Sequence, residues 1–244
     1  MRAAAALVAF VVSTIASAAH PFLTEDPGTQ GAGHFELELG FAAYQGDPSI
    51  PGRANVLAPQ FSIGVTDNLD LIGQAFWRSQ TPTQSPTVLG NGDTALDLKW
   101  RFYEQGRVAF AVRAGLDVPT GDVDTGLGAG ALGGHAIAIV GVAFGEYAMY
   151  GNAAFVYTRA PGARSNLGGI SVALTRPDDK PLRSFVEAAI GSNPDPMKTQ
   201  WPAIARTGVI YTIVEGFDVD AGVQARLNKS AARVAWLVGA TLRW

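Results

Sequence analysis

The chain has 244 residues, a formal net charge of −3 and 16% charged residues, against the roughly 25% of ordinary soluble domains. Its mean hydropathy is +0.15, yet past the first 19 residues no apolar run reaches the roughly 18 residues that a transmembrane helix needs. That combination excludes a helical membrane protein, a disordered chain and a nucleic-acid binder, since no basic field exists to hold phosphates; zero Cys excludes a disulfide scaffold and thiol chemistry.

Met1-Arg2, the apolar run Ala3–Ile15 and the small-residue ending Ala16-Ser17-Ala18-Ala19 read as a secretory signal peptide over 1–19. Residues 20–33 follow, rich in Pro, Gly and polar side chains. They are expected either to fold into the body of the protein as a plug, with Glu25 and Asp26 meeting interior arginines, or to hang free as a tail.

From residue 34 the pattern is alternation of period two, which places successive side chains on opposite faces of a strand. In 34–43, Phe35, Leu37, Leu39 and Phe41 share one face while Glu36 and Glu38 share the other. Later segments repeat this, through Val234, Trp236, Val238, Ala240, Leu242 and Trp244 at the end. Twelve such segments are predicted: 34–43, 55–65, 69–78, 93–103, 107–118, 133–144, 147–158, 166–176, 182–192, 202–213, 217–227 and 232–244. Most are longer than the five or six residues of a soluble strand and suit the roughly 9–11 that cross a bilayer at a tilt.

Short links at 66–68, 104–106, 145–146, 177–181 and 214–216 alternate with longer ones, among them 79–92 and 119–132, which are expected to shape a mouth. Short periplasmic turns, long outer loops and an even strand number are the layout of outer-membrane barrels. Aromatics near segment ends (Trp77, Trp100, Phe102, Phe144, Tyr147, Tyr157, Tyr211, Phe217, Trp244) fit girdles at the two membrane interfaces. The predicted fold is therefore all-β: a closed antiparallel transmembrane β-barrel of about 12 strands over 34–244, with outer-membrane lipid as its surroundings. A soluble β-sandwich is the rival, because its strands also alternate.

The faces opposite the apolar stripe supply the lumen and selectivity candidates: Glu36, Glu38, Asp97, Lys99, Arg101, Arg113, Asp117, Arg183, Glu187, Asp218, Asp220, Arg226 and Arg243, with Gln224 beside them. Either they tune passage of solutes, or they pair across strands and hold the wall together. Gly128–Gly133 matches a dinucleotide-binding spacing, but no helix follows it. Asp122, Asp124 and Gly126 lack the rest of a calcium loop. His20, His34 and His135 have no paired spacing for a metal. No cofactor, metal site or catalytic residue is expected, and the chain is read as a non-enzyme.

Three stretches carry a family resemblance. The C-terminal strand ending on Trp244, with apolar residues at every second position, resembles the signature by which outer-membrane proteins are recognised for assembly. The mature start, His20-Pro21-Phe22-Leu23-Thr24-Glu25-Asp26-Pro27-Gly28-Thr29-Gln30-Gly31-Ala32-Gly33, and the stretch Leu116-Asp117-Val118-Pro119-Thr120-Gly121-Asp122 resemble the outer-membrane transporter family linked to the meta-pathway of phenol degradation. The resemblance implies a bacterial outer-membrane pore or transporter for small, often aromatic or hydrophobic, compounds, and an assembly machinery as partner. The alternatives are a non-conducting structural barrel and a secreted β protein that binds a hydrophobic ligand.

Overall fold

A computed structural model describes residues 21–49, 52–83, 86–176 and 181–244; the leader at 1–19 lies outside them. Fourteen strand elements form one antiparallel sheet: β1 (Phe35–Gln45), β2 (Gly52–Thr66), β3 (Leu69–Gln74), β4 (Trp77–Pro82), β5 (Val88–Asn91), β6 (Thr94–Gln105), β7 (Val108–Val118), β8 (Gly133–Phe144), β9 (Tyr147–Tyr157), β10 (Asn166–Thr175), β11 (Leu182–Gly191), β12 (Ala203–Val214), β13 (Phe217–Arg226) and β14 (Val234–Arg243). The order around the wall is β1, β14, β13, β12, β11, β10, β9, β8, β7, β6, β3, β2 and back to β1, which pairs with both β2 and β14, while β4 pairs with β2 and β5 with β4. The twelve strands of the wall therefore close into a barrel, the only kind of sheet that satisfies every backbone N–H and C=O away from water.

The wall has twelve strands, with β4 and β5 as two extra pieces. β4 continues the line of β3 along β2: Gln60 faces Gln74 and Leu57 faces Trp77 in the same register. The interruption falls opposite Pro59. Ala75 donates to the Pro59 carbonyl at 3.0 Å, but Pro59 has no N–H to return, and one rung of the ladder is missing. β5 pairs with β4 as β6 pairs with β3, with a break at Gly92 and Asp93. Consequently the expected loop 79–92 is a correction: most of it is a hairpin that raises the wall on the long-loop side. Elsewhere the predicted segments stand within a few residues, and 133–144 coincides with β8.

The two faces of the wall reverse the order of a soluble protein. The inward side chains of β1 and β2, Glu36, Glu38, Gln60 and Ser62, are buried, as are Asp97, Lys99, Arg113, Glu187 and Asp218 farther round. Outward, Leu39, Phe41, Leu98, Val172, Val186 and Val238 are exposed. Aromatic rings ring the two ends of this belt: Phe35, Phe61 and Trp244 stack at the short-turn end, with centroids 5.8 to 6.1 Å apart, and Trp77 and Tyr157 are exposed toward the other. Among the described residues there is no second layer against which the apolar face packs. An exposed apolar belt of this extent on a closed wall is stable against hydrocarbon and not against water. No helix among the described residues is long and apolar enough to cross a membrane. Val238, midway along β14, gives a direct check. Val238→Arg should cost about 2–4 kcal/mol, measured by urea unfolding of the vesicle-inserted barrel, whereas on a water-facing surface the change would be nearly neutral.

Candidate functional site

The N-terminal segment enters the barrel at the short-turn end and crosses the bore. Gly33 donates to the Gly64 carbonyl at 2.9 Å, and Gly64 donates to the His34 carbonyl at 2.9 Å. A Cβ on Gly64 would lie 1.8 Å from the Gly31 carbonyl oxygen, so only glycine lets the strap lie this close to the wall. Farther in, the Gln30 amide donates to Asp70 of β3 at 3.1 Å and its side-chain amide to Glu36 of β1 at 2.7 Å. Pro27 rests in the space above Gly141 of β8, where a Cβ would come within 2.7 Å of the proline ring.

Glu25 is the strap's central anchor. One carboxylate oxygen takes an ion pair from Arg113 and the other from Lys99 at 3.2 Å. Its backbone amide donates to Asn152 Oδ1 at 2.6 Å, and Asn152 Nδ2 donates to its carbonyl at 3.0 Å. Beyond it, the Leu23 amide donates to Glu187 at 3.0 Å, the Thr24 amide and hydroxyl do so at 2.5 Å, and the Ser171 hydroxyl, 2.8 Å from the Thr24 hydroxyl, donates to it. Phe22 packs on Phe185 with ring centroids 4.5 Å apart. The strap thus reaches from the wall around β1–β3 to β11 on the far side. Among the described residues Asp26 meets no arginine: its Oδ1 accepts the Gly28 amide at 2.6 Å, closing a local turn, and its carboxylate lies within electrostatic reach of the luminal Lys99.

Around Glu25 the lumen charges form a network. Arg113 also holds Asp97 through Nε at 2.7 Å and donates to Gln60 at 3.1 Å. His135 lies 3.1 Å from Asp97 and 3.2 Å from Asp117. The side chains of Arg113, Glu25 and Asp97 are exposed by 3%, 3% and 0%. A second network lies nearer the short-turn end, where Arg183 and Arg243 both reach Asp218, at 2.8 and 2.7 Å, and Arg243 also reaches Glu36 at 2.7 Å. Glu38 accepts from Gln60 at 2.5 Å, and Asp220 is buried on the same wall.

Two candidates lie elsewhere. Arg101 sits at a short turn, bonded to the Asp67 carbonyl at 2.9 Å and to Glu104 at 3.2 Å, because a bulge in β6 between Arg101 and Tyr103 shifts its register there. Arg226 ends β13 on the exposed rim of the long-loop side, grouped with Arg53 and Arg233. Lumen residues that sequence reasoning did not single out include Asp70, Gln60, His135, Asn152 and Arg206. Asp70 and Gln60 occupy the polar side of the alternation and were legible there; Arg206 has apolar Ile204 two positions away on its own face, which hides the signal.

Burial opposes ionisation of Glu25, and the positive charges of Arg113 and Lys99 outweigh it, so its pKa lies below the ordinary 4.5. A carboxylate with a depressed folded pKa contributes stability above its unfolded value, and that contribution fades as pH falls through the folded one. Strap docking should therefore be unchanged from pH 7 down to about 5 and weaken only below the ordinary carboxylate range. Proteolysis of the strap in membrane-inserted protein, followed against pH, checks this; release already at pH 6 would contradict it.

Above Leu23, toward the long loops, the bore opens into a vestibule with a cavity volume of about 150 Å³. Its walls are mainly apolar, with Ala54, Ile137, Ala154, Ala189 and Ile204, and its polar floor carries Asn152, Ser171, Gln224 and Arg206. Loop 119–132 folds in beside it: Asp93 accepts the amides of Gly121 and Ala129 at 3.0 and 2.7 Å, and Leu127 is fully buried.

No family model matches the chain, and no curated protein matches it. Among solved structures, the chain is similar to an outer membrane channel from Pseudomonas putida F1, with a TM-score of 0.72 and 13% identity over 90% of this chain and 98% of that one. It is also similar to the NanC porin, with a TM-score of 0.61 and 7% identity over 84% and 98% of the two chains, and to the KdgM porin, with a TM-score of 0.59 and 8% identity over 85% and 98%. At these identities the likeness concerns the fold: the chain has the barrel fold of outer-membrane channels and porins.

Proposed function

We propose that the protein is a passive pore of the bacterial outer membrane, in which small molecules diffuse through a lumen constricted by the strap at residues 21–33. The observation that carries this reading is the inverted wall, apolar outside and charged inside, around a bore whose only crossing obstacle among the described residues is a non-covalent strap. An inward face rich in carboxylates and arginines serves no lipid contact, and it suits a water-bearing interior. The strap divides that interior into an apolar vestibule on the long-loop side and a charged half below. With the long loops outward, as in other barrels of this kind, the vestibule faces the exterior and receives solute first.

Its apolar walls favour small compounds with a hydrophobic body, and this agrees with the aromatic or hydrophobic substrates implied by the resemblance to the phenol meta-pathway transporters. The residues brought together among the described ones are those of charge pairing and solute contact, and the likeness to channels and porins supports reading the chain as a non-enzyme. Assembly through recognition of the last strand is part of the same proposal. In the closed barrel the Phe35 amide donates to the Trp244 carbonyl at 2.9 Å and the Trp244 amide to the Phe35 carbonyl at 3.1 Å, so an assembly machinery would read this strand before β1 seals it.

Reconstitution of the leaderless chain in planar bilayers tests the function. Discrete, reproducible conductance steps are expected. A membrane-inserted, heat-modifiable barrel that gives no steps with or without the strap would identify a structural barrel instead.

A further inference from the structure

We propose that the vestibule is a binding site for small apolar anions, a carboxylate carried on an aromatic or short aliphatic body, with Arg206 as the group that holds the carboxylate. The inference deepens the pore reading by naming the class of solute, and it rests on that reading for its transport role.

A guanidinium taken out of water needs a carboxylate or an equivalent set of acceptors. Arg113, Arg183 and Arg243 obey this, each ion-paired in the lumen. Arg206 departs from it. Only 8% of the residue is exposed, its Nε donates to Gln224 at 2.9 Å, and among the described residues it forms no ion pair. The carboxylate that the fold sets opposite it is Glu187, its register partner on β11. Glu187 is turned to the strap and accepts the amides of Leu23 and Thr24. The strap therefore takes away the natural partner of Arg206 and leaves the guanidinium lining the vestibule floor beside Asn152 and Ser171. A forked donor set beneath apolar walls matches the two ends of an amphiphilic acid: the carboxylate meets the fork and the hydrocarbon meets Ile204, Ala189 and Ala154.

The mouth agrees. Arg53, Arg226 and Arg233 converge on the exposed rim, and none forms an ion pair with a described carboxylate, so the path inward starts from a positive field that concentrates anions. The opposing charges along the path are Asp47, at the vestibule edge, and Glu187, already bonded to the strap.

Equilibrium binding of labelled benzoate to the detergent-solubilised full barrel, with benzamide as neutral competitor, tests this. Saturable benzoate binding is expected, poorly displaced by benzamide. Arg206→Gln should weaken it about tenfold or more, the loss of a charge-assisted contact, and Arg206→Lys should weaken it less. Heat-shifted gel migration verifies that each variant is folded, and the benzoate–benzamide comparison in the unaltered chain decides the matter even where a variant fails to fold. Equal displacement by benzamide, unchanged affinity in folded Arg206→Gln, or no saturable benzoate binding would each overturn the inference, whatever the conductance. Benzoate binding intact in a barrel that never conducts would overturn the pore reading and leave the site standing.

Discussion

Deletion of residues 20–33 should raise the single-channel conductance several-fold and shift selectivity toward anions. The strap spans the bore from Asp70 on β3 to Glu187 on β11, so its removal clears the cross-section at the level of Lys99 and Arg113. It also withdraws the carboxylate of Glu25 from both cations. Asp97 still neutralises part of Arg113, but Lys99 loses its one ion pair among the described residues, and the two carboxylates of Glu25 and Asp26 leave the bore, which shifts its charge in the positive direction. Glu25→Gln should give a partial form of the same result: the strap keeps Glu187 and Asn152 as anchors, and the channel flickers between two levels. Planar-bilayer recordings with reversal potentials in a salt gradient measure both. Unchanged conductance and selectivity after the deletion would rule out the strap as the constriction.

The second large effect is on stability. Arg113→Met should cost about 3–5 kcal/mol, the usual consequence of removing one partner from a buried charge network. Met keeps the aliphatic volume, so the loss is electrostatic: Glu25 keeps Lys99 alone, Asp97 keeps His135 alone, and Gln60 loses a donor. The double change Arg113→Met, Asp97→Asn should recover part of the loss, since a polar amide in place of a bare carboxylate needs no counter-ion and Glu25 stays to pair Lys99. Denaturant unfolding of vesicle-inserted protein gives the values. A single variant as stable as the unaltered chain would mean that the lumen is hydrated at this level and that these ions are paired through water.

The wall was legible in the sequence because a lipid-facing strand leaves a period-two record. In β14, Trp236 and Val238 point outward while Ala235 and Leu237 are buried inside, and the charged Arg243 falls on the inward side. What escaped was non-local or hidden by mixed faces. The break between β3 and β4 depends on Pro59, one strand away, and the strap's partners lie 74, 88 and 164 residues along the chain, at Lys99, Arg113 and Glu187. Composition marked 20–33 as unlike a strand; nothing local tells a strap from a free tail, since what distinguishes them is the charge it meets. Arg206 was hidden by Ile204 and Ile210 on its own face, and His135, weighed only as a metal ligand, lies in the lumen between two carboxylates.

The central claim is that the outward apolar face touches hydrocarbon. The chain has zero Cys, so single cysteines placed one at a time at 170, 171, 172, 173 and 174 in β10 can carry a nitroxide without background. In vesicles, labels at Ile170, Val172 and Leu174 should be reached by oxygen dissolved in the bilayer and shielded from a water-soluble nickel chelate, while those at Ser171 and Ala173 should show low oxygen contact. Accessibility to the chelate at all five positions, or a pattern without a two-residue period, would contradict the account.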